Sequence, residues 1–264
     1  MRLVSNDDGR FTWLLGAGYN YDRIEDTRDF ALIDNVIAAP PPVNVVRRGY
    51  LQRTEAWAVY GSAGYDIGER VRLRGSLRYT DETKRMYNAS LLVPPLGFYL
   101  FRNQSQTLKL KTNVTGDIGI DFQAGDDAML YVKATKGYKS GGFFGGLATD
   151  PGALAPYLEE TIWSYEAGFK TEWPGGLRAN GVTAVLLGNV GDVGMYGAEL
   201  ELSWSPPAVP GLTLQFNPAY LKGKIVESDA TSVTITGRTY GLDGRPVNTP
   251  EWSIFAAALY ERPI

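Results

Sequence analysis

The sequence contains neither cysteine nor histidine among its 264 residues. Without cysteine there is no disulfide framework and no thiolate metal site. Without histidine there is no Ser-His-Asp or Cys-His catalytic arrangement, and most catalytic zinc sites also need this residue. Glu199 and Glu201 share one face of a predicted strand, but carboxylates in such positions commonly pair with Lys or Arg. We therefore predict no enzymatic activity, no metal site and no cofactor.

Long apolar runs are also missing, and positive and negative charges nearly balance. No uninterrupted apolar run approaches the about 20 residues of a membrane-spanning helix. The formal net charge is -3, which offers no basic surface, so no nucleic-acid partner is predicted. Residues 1–8 lack a basic region followed by an apolar stretch, and we recognise no signal peptide there. If the chain enters a membrane, it does so as β-strands.

Regular alternation of apolar and polar residues is the strongest pattern in the chain. In residues 11–22 every second residue is apolar, and aromatic residues lie at both ends of that face, namely Phe11, Trp13, Tyr19 and Tyr21. Small aliphatic residues lie between them. A strand that crosses a bilayer needs an apolar outer face and gains from amphipathic rings at both water interfaces. The pattern therefore predicts a transmembrane β-strand.

About ten segments show this period of two and are long enough to cross an apolar layer at a tilt. They are residues 11–22, 55–66, 71–83, 107–122, 128–138, 161–173, 177–187, 195–204, 212–221 and 252–260. Short turns (67–70, 123–127, 174–176, 205–211) alternate with long loops (23–54, 84–106, 139–160, 222–251), although 188–194 is short where a long loop is expected. Outer-membrane barrels have this arrangement of short periplasmic turns and long external loops.

The two faces of these strands differ in polarity, which predicts their orientation. One face carries charges of both signs, including Arg74, Lys111 and Glu166, and is expected to line a polar interior. The other face is predicted to contact lipid through Phe11, Trp13, Tyr19, Tyr21, Leu110, Trp163, Phe169, Trp173 and Trp204. The predicted fold class is all-β, an antiparallel transmembrane β-barrel portion. A soluble sheet with one wet face alternates in the same way, but its strands are usually about half as long.

Four local motifs resemble signatures of the TonB-dependent receptors, outer-membrane transporters of Gram-negative bacteria, and they occur in the family's order. The first, residues 131–143, contains Lys136, Gly137, Tyr138, Lys139, Ser140, Gly141, Gly142 and Phe143. The second, residues 164–173, contains Tyr165, Glu166, Gly168, Phe169 and Lys170. The third, residues 189–201, contains Tyr196, Gly197 and Glu199, and the fourth is residues 248–253. The resemblance covers most of the chain from residue 11 onward.

The resemblance implies active uptake of a scarce nutrient, such as an iron-siderophore, cobalamin or a sugar, in the cell outer membrane. In that family a barrel of about 22 strands encloses a plug domain, and TonB supplies the energy. No plug domain is recognised in this sequence, so TonB would be a partner only through a plug segment absent from it. The other implied partners are outer-membrane lipid and, in the complete receptor, a small-molecule ligand such as a siderophore.

Residues 1–264 are expected to form one β-barrel domain fragment with fewer than half of the family's strands. Strands shaped for a wide barrel curve too gently to close a small one, so we expect an open curved sheet whose edges are residues 11–22 and 252–260. The alternative is a smaller closed barrel that acts as a passive pore or a structural protein, because the first and last strands run in opposite directions. A soluble all-β binding module is a third possibility.

Ligand contact in a complete receptor is expected on the long loops, around residues 91–101 and 139–156. Residues 91–101 contain Leu, Phe and Tyr at an unusual density for a loop. Loops of this length are often functional. The same composition also suits packing between neighbouring loops.

Overall fold

The computed structural model describes residues 1–5, 9–31, 45–110, 113–148, 150–188, 193–225, 232–233, 239–240 and 250–261. This part of the chain consists of antiparallel β-strands with two short 3-10 helices, Pro94–Leu96 and Pro151–Leu154. None of the helices in the described ranges has the length and apolar character needed to span a membrane.

The strands are long, as an alternating sequence with few breakers requires. Their bounds are β1 Arg2–Val4, β2 Phe11–Ala31, β3 Val45–Ile67, β4 Val71–Val93, β5 Phe98–Lys109, β6 Asn113–Gln123, β7 Ala128–Lys139, β8 Glu160–Trp173, β9 Leu177–Gly188, β10 Val193–Trp204, β11 Leu212–Ile225, β12 Ser232–Val233, β13 Thr239–Tyr240 and β14 Trp252–Tyr260. We name the end of the sheet with connections 68–70, 124–127, 174–176 and 205–211 the turn end, and the opposite end the loop end.

Twelve strands form one sheet in the order β1-β2-β3-β4-β6-β7-β8-β9-β10-β11-β14. The twelfth, β5, lies off this path because β4 changes partner along its length: Val71 to Thr80 pair with β6, and Thr83 to Val93 pair with β5. β12 and β13 form a separate pair. Nearly every strand therefore lies beside its neighbour in sequence, as in an up-and-down barrel wall.

The predicted strand positions are confirmed with two corrections. The expected single strand 107–122 is wrong, because β5 ends at Lys109 and β6 begins at Asn113. Alternation continues in phase across this break, so the sequence pattern conceals it. The expected loops 23–54 and 84–106 are also too long, because β2, β3 and β4 continue well into them. The extensions carry charged residues on both faces, so their composition resembles that of a loop and the sequence alone does not predict a strand there.

One row of cross-strand partners runs across the sheet, and directly opposite residues share a face. The row contains Phe11, Tyr65, Leu73, Ile120, Val132, Ala167, Thr183, Ala198, Tyr220 and Trp252. We name the face that carries this row the apolar face and the opposite one the polar face. The row starts at the turn end of β2 and finishes at the loop end of β14, so the strands are sheared as in a barrel wall.

The sheet is open, as predicted. Among the strands that the structure describes, β14 pairs only with β11, and β2 pairs with β3 on one side and with the short β1 on the other. In the described ranges no ladder joins β2 to β14, so the small closed barrel is not the observed arrangement.

Candidate functional site

Aromatic rows border the apolar face at both ends, and most residues predicted to face lipid lie there. Phe11, Tyr19, Tyr21, Trp163, Phe169, Trp173 and Trp204 are exposed on this face, and Trp13 is half-buried. At the loop end, neighbouring rings pack in pairs with centroid separations of 5.1 Å for Trp57–Tyr79, 6.3 Å for Trp163–Tyr165 and 4.8 Å for Tyr220–Trp252. An exposed apolar band bordered by amphipathic rings is the pattern of a membrane-facing barrel surface.

Leu110 contradicts the predicted orientation. Its side chain is only 2% exposed and packs in a cluster with Leu108 and Met86, so the prediction that it contacts lipid is wrong. The reason is the break between β5 and β6: Leu110 follows a strand that pairs with the loop-end half of β4 and packs on the polar-face side. Lys111, predicted to face the interior, lies outside the described residues.

The polar face carries ion pairs between neighbouring strands, and the predicted interior residues Arg74 and Glu166 both lie on it. Arg74 Nε lies 2.9 Å from Asp121 Oδ2, and Arg72 Nη1 lies 3.3 Å from Asp66 Oδ1. Glu166 accepts a hydrogen bond from Ser164 Oγ at 3.1 Å and lies directly opposite Lys133. Charges of both signs are thus paired along the sheet, which keeps this face hydrated and close to neutral.

At the loop end, a buried apolar cluster lies on the polar-face side of the sheet. Its members come from β3, β4, β5, the residue after β5 and the connection after β7: Val46, Met86, Ala89, Leu91, Val93, Phe101, Leu108, Leu110, Phe143, Ala148 and Leu154. The connection therefore folds back onto the extended strands. We name residues 140–148 and 150–157 of this connection the docked segment.

Arg48 anchors the docked segment from β3. Its side chain is 4% exposed, and Nη2 lies 2.6 Å from Asp26 Oδ2. Nη1 donates to the carbonyl oxygens of Gly146, at 2.8 Å, and Gly145. The guanidinium also stacks 4.9 Å from the Tyr50 ring centroid. A fully buried cation is tolerated only when it is paired and hydrogen-bonded, so docking of the segment and burial of Arg48 depend on each other.

A second anchor lies on β4. Lys84 Nζ donates to the carbonyl oxygen of Gly141 at 2.7 Å and lies 3.2 Å from Glu82 Oε1. Glu82 also accepts a hydrogen bond from Ser140 Oγ at 3.0 Å. Lys84 and Glu82 are both mostly buried at the base of the docked segment. The two anchors together hold the segment chiefly through its main chain.

Two glycines of the first motif allow this docking. Gly142 and Tyr157 exchange backbone hydrogen bonds of 3.0 and 2.9 Å, which draws the two ends of the docked segment together. A Cβ on Gly141 would lie 2.4 Å from the carbonyl oxygen of Tyr157, closer than real Cβ atoms approach. The Ser-Gly-Gly sequence after β7 is therefore required by close backbone contact.

The remaining motif residues have simpler positions. Lys136, Gly137, Tyr138 and Lys139 form the loop end of β7, and Lys139 Nζ lies 3.6 Å from Glu160 Oε2. Tyr165 to Lys170 lie within β8, and Tyr196, Gly197 and Glu199 lie within β10. Among the described motif residues, the structure therefore brings only those of the first motif into the loop-end site. Residues 189–192 of the third motif and 248–249 of the fourth lie outside the described residues.

Sequence reasoning missed the anchors Arg48, Asp26, Glu82 and Lys84. Three of them lie in segments read as loops, and Glu82 lies at the end of the predicted strand 71–83. Val46, Arg48 and Tyr50 share one face of the β3 extension, but their neighbours Val45, Arg47 and Leu51 are similar in polarity, so no alternation marks this extension in the sequence. Farther along the same extension, Arg47 Nε and Nη2 donate to both Asp29 carboxylate oxygens at 2.7 and 2.9 Å. These exposed bonds, beyond the aromatic rows, hold the pKa of the Asp29 carboxyl below its usual value.

The residues 91–101, predicted as a ligand-contacting loop, divide into two groups. Leu91, Val93 and Phe101 are buried in the apolar cluster, which agrees with the packing interpretation. Leu96, Phe98, Tyr99 and Leu100 are exposed on the hairpin that joins β4 to β5. These four side chains, together with the docked segment, form an exposed loop-end surface. The exposed side chains of this surface are mainly apolar and aromatic, as in most ligand sites. The polar groups beneath them are already paired with one another or with backbone carbonyls.

Comparison with known proteins gives a consistent result. The family model for TonB dependent receptor-like β-barrels matches residues 2–186. Among solved structures, the chain is similar to the ferric yersiniabactin uptake receptor FyuA from Yersinia pestis, with a TM-score of 0.76 and 16% identity over 97% of this chain and 38% of that one.

Two further structures are similar over nearly the whole chain. The siderophore receptor PiuA from Acinetobacter baumannii has a TM-score of 0.69 and 14% identity, covering 98% of this chain and 43% of its own. The ferric-catecholate import receptor Fiu from K12 E. coli has a TM-score of 0.66 and 12% identity, covering 98% of this chain and 41% of its own. At these identities the similarity establishes the fold, and the chain spans about two fifths of each of these proteins.

Proposed function

Because the chain belongs to the TonB-dependent receptor-like β-barrel family, we propose that it forms part of the wall of an outer-membrane receptor. The observation that carries this proposal is the exposed apolar face with aromatic rows at both ends. On β8, Trp163 and Trp173 lie about 33 Å apart along the strand at about 3.3 Å per residue. At a tilt of about 40°, this separation matches the about 25 Å apolar band of outer-membrane barrels.

We further propose that the receptor actively imports a scarce nutrient such as an iron-siderophore. The proteins of similar fold include ferric-siderophore receptors, which supports an iron-chelate ligand. In this proposal the ion-paired polar face surrounds a plug, and TonB acts through a plug segment outside these residues. In the same proposal, residues 1–264 belong to a single β-barrel domain.

The ligand-contacting surface in this proposal is the exposed part of the loop end. Phe98, Tyr99 and Leu100 on the β4–β5 hairpin and Phe144 and Tyr157 of the docked segment are solvent-exposed. Exposed aromatic side chains concentrated on long connections are typical of binding surfaces. The buried anchors beneath the segment fix its main chain, which prepares the surface for binding.

Uptake assays test this function directly. The complete receptor containing this chain is expressed in a strain without its own siderophore receptors, and uptake of radioactive iron bound to hydroxamate, catecholate and citrate chelators is measured. We expect uptake of at least one chelate, dependent on TonB, and strongly reduced by Phe98→Ser with Tyr99→Ser. Phe255→Ser, at an exposed position on the polar face near the middle of β14, is the control. Equal uptake in a strain without TonB would instead indicate a passive pore.

A further inference from the structure

Three arginines lie side by side at the loop end of the sheet, on the side of the apolar face. Arg23 on β2 is the direct partner of Arg53 on β3, which is the direct partner of Arg85 on β4. Directly opposite side chains in antiparallel strands lie about 5 Å apart at Cβ, and like charges in these positions repel. A row of three such partners is stable only if anions balance it.

The carboxylates nearby balance this row incompletely. Arg23 lies 3.6 Å from Glu25, and Arg85 lies 3.4 Å from Glu55, both in exposed and loosely spaced pairs. Arg53, in the centre, forms no ion pair within the described part of the chain and faces the Tyr87 ring at 5.4 Å. Its Nε is buried without a hydrogen-bond partner. The same face also carries Lys109 and Asp81, whose charges are opposite in sign. The centre of the row thus keeps one unneutralised cation.

An apolar groove approaches this row along the same three strands. It has a volume of about 910 Å³ and is lined by residues from β2, β3, β4 and β6. Small residues on the apolar face, Gly61, Ala63 and Gly75, form its floor, and the exposed Leu15, Leu77 and Ile118 rise beside them. A Cβ on Gly61 would lie 2.8 Å from Leu15 Cδ2, so a side chain at position 61 would fill this part of the groove.

The groove reaches the Trp57–Tyr79 ring pair, and the arginine row lies beyond it. Tyr79 lines the groove, and its ring centroid lies 5.1 Å from that of Trp57. Arg53 is four residues beyond Trp57, about 13 Å along the strand. Aromatic rings of this kind mark the boundary of the apolar layer, and long cationic side chains beyond it reach the headgroups. Along the strands, the groove therefore lies where an acyl chain would lie, the rings at the boundary of the apolar layer, and the arginines where an anionic headgroup would lie.

We propose that this surface of β2, β3 and β4 binds a phosphorylated lipid of the outer leaflet. One acyl chain lies in the groove between Leu15 and Leu77, and a headgroup phosphate lies on Arg23, Arg53 and Arg85. Guanidinium groups bind phosphate oxygens through paired hydrogen bonds, which supplies the missing anion. A soluble phosphate would use the arginines but not the apolar groove. This inference rests on the proposed membrane location of the apolar face.

The test measures lipid binding by the complete receptor in nanodiscs of neutral phospholipid. The probe is lipid A with two phosphates, and dephosphorylated lipid A and inorganic phosphate are the comparison ligands. We expect Arg53→Gln to lower affinity for the probe about fivefold, and Arg23→Gln, Arg53→Gln and Arg85→Gln together to lower it about a hundredfold. Arg47→Gln is the matched control, because Arg47 lies on the same side of β3 but is paired with Asp29.

A second variant tests the groove separately. Ala63→Leu fills the groove floor and is expected to lower affinity for the lipid probe, whereas Ala256→Leu, on the apolar face of β14 outside the groove, leaves it unchanged. Probe binding by the triple arginine variant within twofold of the unmodified receptor would overturn the proposal. Equal binding of dephosphorylated lipid A, or displacement of the probe by inorganic phosphate, would also overturn it. A receptor that inserts normally but lacks lipid binding contradicts this inference alone, whereas one that does not insert contradicts the proposed membrane location.

Discussion

Arg48 is the residue on which attachment of the docked segment depends most. Its buried guanidinium pairs with Asp26 and satisfies two glycine carbonyls. Its removal leaves both carbonyl oxygens without their donor and leaves Asp26 paired only with the exposed Arg28. Breaking a buried pair in this way typically costs about 3–5 kcal/mol. We expect Arg48→Ala to release the segment, detected as faster backbone hydrogen exchange in residues 140–157.

The adjacent Arg47 provides a matched control for this measurement. It is exposed, and its pair with Asp29 makes no contact with the docked segment. Pairs of this kind contribute about 0–1 kcal/mol, so Arg47→Ala should leave exchange in residues 140–157 unchanged. If both variants exchange at the rate of the unmodified chain, the anchoring role of Arg48 is wrong.

Ala167 tests the orientation of the sheet at the level of one side chain. It lies near the middle of β8, on the apolar face, between the rings of Trp163 and Trp173. A lysine near the middle of an apolar layer costs about 2–4 kcal/mol in a lipid-facing barrel position. We expect that cost for Ala167→Lys in a refolding titration in lipid. Asn180→Lys, which lies on the polar face between Glu201 on β10 and Lys170 on β8, should cost little because the two neighbouring charges offset each other and the face is hydrated. Equal costs would contradict the membrane orientation.

Among the structural elements, the docked segment has the strictest requirement for particular residues. A Cβ at Gly141 would meet the backbone of Tyr157, which cannot move without breaking the bridge between Gly142 and Tyr157. We expect Gly141→Ala to accelerate hydrogen exchange of the Tyr157 amide. Gly145→Ala is the control, since the nearest atom to its Cβ would be Tyr50 Oη at 3.9 Å. Unchanged exchange in both variants would show that the close contact does not constrain the segment.

The strands were predictable from sequence to the extent that one face had to be apolar. Between the aromatic rows that requirement produces alternation, and segments such as 161–173 match β8 closely. Beyond the rows both faces can be polar, so the extensions of β2, β3 and β4 carry no such pattern. Leu108 and Leu110 alternate as lipid-facing residues would, but a docked connection buries them. Periodicity identifies a buried face without identifying what covers it.

At the scale of the whole molecule, the open sheet leaves β14 and most of β2 with unpaired edges in the described ranges. The natural absence of cysteine makes cross-linking a direct test of this arrangement. Cysteines at Ala17 and Val59, which are direct partners, should form an intramolecular disulfide. Cysteines at Tyr19 on β2 and Ile254 on β14 should not, and a rapid intramolecular link between them would demonstrate closure. Exposed edges also predict aggregation of this chain when it is expressed alone.

The anchors of the docked segment contact carbonyl oxygens of glycines, which every amino-acid residue also possesses. Attachment is therefore largely independent of the side chains that the segment presents, apart from Ser140, Phe143, Ala148 and Leu154. Exposed positions such as Phe144, Ala153 and Tyr157 can change while the base that holds them stays the same. A peptide loop of foreign sequence could be grafted between Ala148 and Leu154, and selection, natural or in the laboratory, could diversify that loop independently of the barrel wall.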